Sequence, residues 1–411
     1  MSPASARVAQ TVQRGALDGA SPCSNPLASR NGVGVPGAAG NARPQRPWGL
    51  LGLAVAAFGG ITWLVGWRQG FLWAIGVGYG AALAGAAFGF TTGWRVWITR
   101  RDAKGLWAQF LAIAVAMGMS VPLLAAHPEL GAANGPLSVS LLVGAFVFGA
   151  AMQVTDGCGS GTLYKAGLGH PVSMAVLPAF IVGSFFGAAH LPAWLSLGAL
   201  PPVNLVQRWG APLTLAVQLG VLAALALLLW VFSAQRRQGA SFASRWSGRA
   251  VWLAALALGV LAAANLVVAG QPWGIVYGLG LWGAKLAQAL GMDLSGNAFW
   301  GQAAQQAQLQ ASVLTDNTSV TDLGLLWGAW LAARWRGQPT PVVRLSPQAW
   351  TASVAAGLVL GYSSRLAFGC NVGAYFSGIA TGSVHGWVWF AVAFAGSLVG
   401  VRLRRRLGLG D

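Results

Sequence analysis

Ten apolar stretches follow one another along the chain, and they leave it essentially one kind of fold. They cover roughly residues 48–67, 70–94, 105–126, 137–156, 171–190, 211–233, 250–270, 323–334, 348–368 and 384–401. A run of about 20 apolar residues is the length of helix needed to cross a bilayer. Only 8% of the residues are charged, where a soluble domain carries about 25%. The sequence therefore predicts an all-α polytopic membrane protein, with the lipid bilayer as its solvent. Three glycine-rich pieces, about 159–169, 272–290 and 371–383, fall between the spans. Each is too short or too broken to cross alone, so they are expected to be re-entrant or half-membrane helices, buried by protein or reached by water. The 21 tryptophans and 59 glycines suit interfacial belts and close helix packing.

The net charge of +17 is a topology signal rather than a nucleic-acid footprint, since no basic patch with interleaved aromatics stands apart from the spans. With the N-terminus placed inside and the spans alternating, twenty-one of the 25 Lys and Arg residues fall on the inner side. Only Arg68, Arg208, Lys285 and Arg365 fall outside. The positive-inside rule then puts both termini of a multi-pass membrane protein in the cytoplasm. Residues 1–46 are rich in Ala, Gly, Ser, Pro and Arg and lack the apolar core of a signal peptide, so a disordered cytoplasmic tail is expected. The rest divides into a first transmembrane half, 47–210, and a second, 211–411.

Two Gly-Cys pairs sit near the ends of apolar runs. GAAMQVTDGCGSG covers 149–161 and GYSSRLAFGCNVG covers 361–373. Superposed on Cys158 and Cys370, they also match at Gly149/Gly361, Gly157/Gly369 and Gly161/Gly373. Five spans per half is an odd number, so the halves would be inverted relative to each other. Inverted repeats bring their broken segments to the midplane. The two thiols are thus expected to meet there.

A neutral thiol is a weak donor and a polarizable acceptor, suited to a sulfur-containing anion. A buried lone cysteine is otherwise a small hydrophobe. Gly157, Gly159, Gly161, Gly369 and Gly373 expose backbone N–H groups to a ligand, or let helices pack closely. Asn371 follows Cys370 directly. Arg365 lies five residues before Cys370, within the membrane depth as a functional cation or at its edge as a snorkelling one. Lys165 guards the inner mouth or serves as a topology signal. Asp156 accepts a proton, or caps a helix and partners Lys165. Asp316, Asn317, Thr318, Ser319 and Asp322 open the eighth segment as a helix start or as the polar lining of an outer vestibule. The four histidines show no ligand spacing, so no metal is expected. No phosphate-binding loop is present and no cofactor is implied. Cys23 lies in the tail, away from the two motifs.

At these residues the chain resembles the YeeE/YedE family, the TsuA-like thiosulfate-uptake membrane proteins. The resemblance is carried by SRLAFGCNVGAYFSGIATGSVHGWVW (364–389), TDGCGSGTLYKAGLG (155–169), PWGIVYGLGLWGAKL (272–286) and TDNTSVTDLGLLWGA (315–329). It implies an hourglass-like, pseudo-two-fold permease. In it, thiosulfate is handed through a narrow centre by cysteine thiols, with Cys158 and Cys370 in two of those places. It also implies a small cytoplasmic sulfur carrier of the TusA type as a partner. One feature departs from the pattern. Where the family has a further cysteine, AFGFTTGWR (87–95) holds Gly89. A related sulfur or selenium species is the alternative substrate. A membrane thiol-redox protein and a sulfur-delivery subunit are the alternative functions.

Overall fold

The computed structural model describes residues 48–234, 248–337 and 342–410. The tail expected over 1–46, with Cys23, lies outside the described residues, as do Arg236, Arg237 and Arg245. The described chain is helical apart from one two-residue antiparallel pairing, β1 (Leu137–Ser138) with β2 (Ala199–Leu200). In chain order come α1 (Trp48–Val65), α2 (Trp67–Gly85), α3 (Phe90–Arg100), α4 (Lys104–Ala126), α5 (Val139–Val154), α6 (Gly159–Gly167) and α7 (Pro171–Leu195). They are followed by α8 (Leu205–Val231), α9 (Arg249–Ala269), α10 (Val276–Ala289) and α11 (Ala303–Gln310). The chain continues with α12 (Asn317–Trp335), α13 (Pro347–Leu366), a π-helical turn (Asn371–Phe376) running into α14 (Ser377–Ala380), and α15 (Val384–Arg406).

Eight helical stretches among the described residues are long and apolar enough to cross a membrane. α12 and α13 are not among them, although they have 19 and 20 residues. Both carry polar residues on buried faces: Thr318, Ser319, Thr321 and Asp322 on α12, and Ser353, Ser363 and Ser364 on α13. The eighth apolar segment, expected to be short, is thus a full-length helix whose polar first turns hide it from a hydropathy reading. Segment two differs as well. The run over 70–94 is two helices, because the chain breaks at Ala86–Gly89 between α2 and α3.

Local signals explain the helix starts. The side chains of Ser138, Asn204, Asp316 and Ser346 accept hydrogen bonds from first-turn N–H groups of α5, α8, α12 and α13, and Pro171 and Pro347 occupy the first turns of α7 and α13.

Packing between helices distant in the chain is close. α2 lies along α12 and α4 along α9, while α5 lies along α15 and α7 along α13. α2 also meets α9, and α5 meets α13. Small residues allow this approach. A Cβ on Gly328 of α12 would stand 2.0 Å from the Val77 carbonyl oxygen of α2. Equivalent approaches occur at Gly183 of α7 to Leu358 of α13, and at Gly396 of α15 to Phe146 of α5. Without a hydrophobic drive between helices in lipid, such backbone proximity carries the association. α1 and α8 are the least buried of the eight spans, and their exposed Leu, Val and Trp side chains suit contact with lipid.

Gly328→Val forces α12 away from α2 and is expected to lower stability by about 3 kcal/mol, at the upper end of overpacking costs. Gly52→Ala on α1, where a Cβ meets no atom within 4 Å, is expected to leave stability unchanged or slightly raised. Thermal unfolding of the two variants in detergent, followed by tryptophan fluorescence, checks both.

Candidate functional site

Three helix breaks are built alike. After α2, α5 and α13 one residue takes the left-handed conformation: Ala87 (φ 49°), Asp156 (φ 58°) and Phe368 (φ 58°). The next residue then donates its N–H back to a carbonyl five residues earlier: Phe88 to Leu83 at 2.8 Å, Gly157 to Met152 at 3.2 Å, and Gly369 to Ser364 at 2.9 Å. This is the Schellman closure, which satisfies carbonyls that lipid would leave bare. The residue after that is extended and starts a new helix. It is Gly89 before α3, Cys158 before α6 and Cys370 before the π turn. The two cysteines and Gly89 therefore occupy the same structural position at three helix starts.

Cys158 and Cys370 are fully buried and both thiols are free. They are brought together. A Cβ on Gly159, the neighbour of Cys158, would stand 3.1 Å from Cys370 Sγ and 3.4 Å from Ile275 Cγ2. Backbone N–H groups converge on the sulfurs. Those of Ser160 and Gly161 face Cys158, those of Val372 and Gly373 face Cys370, and the Ser160 N–H faces both. Ser160 Oγ lies 3.4 Å from Cys158 Sγ. The Thr91 hydroxyl of α3 also faces Cys158, without making a hydrogen bond. Two helix N-termini thus meet around two neutral thiols, an arrangement that can hold an anion without a fixed charge.

The site glycines have distinct uses. Gly369 has φ 150°, which a side chain would strain, and Gly157 and Gly369 pack on the amides of Thr162 and Ala374. A Cβ on Gly161 would lie 3.7 Å from Cys158 Sγ. A Cβ on Gly373 would meet nothing within 4 Å, and the same holds for Gly274 near the start of α10. Open space therefore adjoins Gly373 and Gly274. Both amide atoms of Asn371 are buried without a partner, as are Thr162 Oγ1, Tyr79 Oη and the Trp273 indole nitrogen. An aromatic wall surrounds these polar atoms. Tyr79 stacks on Trp273 at 3.7 Å, Trp273 meets Phe376 at 5.8 Å, and Phe90 reaches Tyr375 and Phe376. Sequence reasoning missed Ser160, Thr91, Tyr79 and Trp273. The signal for Thr91 was the stretch 87–95, whose break is hidden in a continuous apolar run.

Charges stand at the rims. Lys165 donates to Asp156 Oδ2 at 2.6 Å and to its carbonyl oxygen at 2.5 Å. Arg95 of α3 pairs with Asp156 Oδ1 at 2.6 Å, and Arg404 of α15 approaches to 4.0 Å while donating to the Gln153 carbonyl oxygen at 2.9 Å. One carboxylate thus gathers three cations and ties α3, α6 and α15 to the break. Arg365 has no contact with the thiol pair. Its guanidinium lies over the rings of Tyr277 (5.3 Å) and Phe299 (5.4 Å), and its Nε is buried without a hydrogen-bond partner. Such placement suits cation–π attraction. A cavity of about 340 Å³ opens beside Gly89 and Thr92, with Asp102 and Lys104 on its wall.

Broken helices whose N-termini meet inside a bundle of membrane spans define a multi-pass membrane protein of the transporter type. Comparison with known proteins agrees. A family model described as sulphur transport matches residues 85–399, and the chain belongs to that family. It is also similar to the protein named "Probable transporter YedE" from Salmonella typhimurium and from Escherichia coli, at 31% identity over 150 residues in each case. Those matches cover 36% of this chain and 36% of each relative, so the chain spans about a third of the curated relatives it matches.

Asp156→Ala leaves Arg95 and Lys165 without their carboxylate. Removing one member of a buried ion pair costs about 3–5 kcal/mol, and the partial exposure of Asp156 points to the lower end. The variant is expected to unfold at clearly lower temperature in detergent, whereas Arg100→Ala, at an exposed helix end, is expected to match the parent.

Proposed function

We propose that the chain is an inner-membrane permease for a small sulfur-containing anion, with thiosulfate the substrate that fits best. The observation that carries this reading is the meeting of Cys158 and Cys370 at two helix starts, with the Ser160 N–H turned to both sulfurs. A thiosulfate ion offers a terminal sulfur for the thiols and oxygens for the amides. The polarizable thiols accept and donate weakly, so the anion is held without being trapped. Such balance is what conduction requires. The proposed path has Arg365 near its outer end and Lys165 near its inner end. Gly157, Gly159, Gly161, Gly369, Asn371 and Gly373 line its centre.

The halves are proposed to be inverted repeats, α1–α7 and α8–α15, with both termini cytoplasmic. Support comes from the packing. Exchanging α2 with α9, α3 with α10, α4 with α12, α5 with α13, and α7 with α15 converts the main pairings among these helices into others that also occur. The α2–α12 contact becomes α9–α4, α5–α15 becomes α13–α7, and α10–α7 becomes α3–α15. A TusA-like carrier is the proposed cytoplasmic recipient of the sulfur.

Uptake of labelled thiosulfate into proteoliposomes tests the reading. Cys158→Ala and Cys370→Ala are each expected to lower the initial rate by at least about tenfold, equivalent to a barrier raised by about 1.4 kcal/mol. Cys→Ser at either position is also expected to impair uptake, since a hydroxyl differs in size and polarizability. Unchanged uptake in both alanine variants, present in the membrane at parental levels, rejects the thiol role.

A further inference from the structure

Asp322 is a buried acid that the thiol site does not use. It lies on α12 and is 0% exposed, and neither of its carboxyl oxygens has a hydrogen-bond partner. Its Oδ2 faces α10, where a Cβ on Gly278 would come within 3.0 Å. The start of α10 in turn reaches the thiols, because Ile275 abuts Gly159 beside Cys370. Asp322 thus sits one helical turn along α10 from the constriction.

A bare carboxylate cannot rest in such a place. Burying an unpaired ion costs far more than a folded protein has to spare, so the group is neutralised. Three things can neutralise it: a basic side chain, a metal ion or a proton. The titratable groups on the elements packed against α12 are Arg68 and Tyr79 on α2, Tyr164 and Lys165 on α6, and Tyr277 and Lys285 on α10. α1 has none. Arg68 donates to the carbonyl oxygens of Val268 and Ala269, Lys165 is held by Asp156, and Lys285 donates to the carbonyl oxygens of Leu309 and Ala311. Tyr79 is stacked on Trp273, Tyr164 is buried, and Tyr277 donates to Gln308. On α12 itself Arg334 lies in the last turn. Among the described residues, the one charged group close enough to act on Asp322 is Asp316, a second acid. A metal ion needs several converging oxygens, and no cluster of three His, Cys, Asp or Glu residues occurs among the described residues.

A row of polar groups leads from Asp322 toward the surface. Asp316, Ser319 and Asp322 are spaced three residues apart and share one face of α12. Asp316 is partly exposed and accepts the Ser319 N–H at 2.7 Å. Ser319 lines the same Gly278 groove as Asp322, and its hydroxyl accepts from the Trp282 indole at 2.9 Å. On the orientation proposed above, Asp316 opens to the outer side.

We propose that Asp322 is a proton-binding site that couples passage of the anion to a proton gradient. One proton enters from the outer solution along Asp316 and Ser319, sits on a carboxyl oxygen of Asp322, and is released to the inner solution as the anion passes the thiols. The same role is closed to Asp156, whose carboxylate is engaged by Arg95 and Lys165. This inference rests on the transport reading.

The test uses the full chain in phosphatidylethanolamine/phosphatidylglycerol liposomes that enclose a pH-sensitive dye. External labelled sodium thiosulfate is the probe, and anion entry and lumenal pH are read on the same vesicles. For the parent, thiosulfate entry is expected to acidify the lumen, and an inward proton gradient to speed uptake. Asp322→Asn, an isostere of the neutral acid, is expected to lose both effects while still exchanging labelled for unlabelled thiosulfate. Thiosulfate entry without acidification in the parent overturns the inference and leaves the permease reading standing. Acidification that persists in Asp322→Asn also overturns it. No thiosulfate entry in the parent overturns the permease reading instead, and infrared spectroscopy then judges the proton site alone. The parent is expected to show the C=O stretch of a protonated carboxyl, shifted in Asp322→Glu and lost in Asp322→Asn. A parental spectrum lacking that band overturns the proposal, even where the asparagine variant fails to fold.

Discussion

The structure depends on how a helix can stop inside lipid. An unsatisfied backbone group there costs several kcal/mol, so an open break is not tolerated. At Ala87, Asp156 and Phe368 the chain meets this cost in one way: a left-handed residue and an N–H returned five residues back close the end of the incoming helix. The following helix start keeps its free N–H groups, and these face the protein interior. The device that seals one helix thus aims the next one's donors at Cys158 and Cys370. Cap and site are one piece of backbone, so neither is free to move alone.

Such a centre holds only if the surrounding helices are fixed, and lipid gives them no hydrophobic reason to associate. Glycine supplies that reason through close backbone approach. Gly328, Gly183 and Gly396 each bring a helix against a carbonyl of another helix distant in the chain. The contacts fall on helices that lead directly into the breaks or flank them: α2 enters the Ala87 break, α5 the Asp156 break and α13 the Phe368 break. The Asp156 ion cluster adds a polar tie among α3, α6 and α15. Registration of these helices and convergence of the thiols are therefore one structural problem.

Much of this was legible in the sequence, and the misses have physical causes. Hydropathy located the membrane spans and the glycine-rich half-helices because lipid exposure demands apolar side chains. It failed over α12, whose Thr318, Ser319 and Asp322 are buried against protein and need no apolar character. It failed again at 86–89, where Ala87 takes the left-handed conformation without a glycine to announce it. The matched Gly-Cys motifs pointed to two related positions, and the structure brings them together. The pairing of Asp156 with Lys165 was one of the two readings open to Asp156, and it occurs; the approach of Arg95 and Arg404 to the same carboxylate, from distant helices, left no local signal. The backbone donors and the Tyr79–Trp273 stack left no sequence signal, since every residue has an N–H and aromatic residues are abundant throughout.

The distribution of charge bears on why neutral groups stand at the centre. A fixed guanidinium beside the thiols would attract an anion strongly in a low-dielectric interior and then hold it. Helix N-termini carry only about half a charge each, and thiols carry none. Under the proposed permease reading, a small sulfur-containing anion at that point would be stabilised enough to enter and weakly enough to leave. The full charges stand elsewhere, Arg365 over the rings of Tyr277 and Phe299 and the cations Arg95 and Lys165 at Asp156, and on the proposed path they would raise local anion concentration without a deep well at the midpoint. Gly89 fits the same logic. It occupies the third helix start, but a Cβ there would stand 2.9 Å from Thr92 Oγ1, so a thiol could not be seated without displacing that hydroxyl. With glycine in place, the position offers a small cavity and backbone donors instead. The relay proposed for this chain thus has two sulfur stations, and the third helix start carries none.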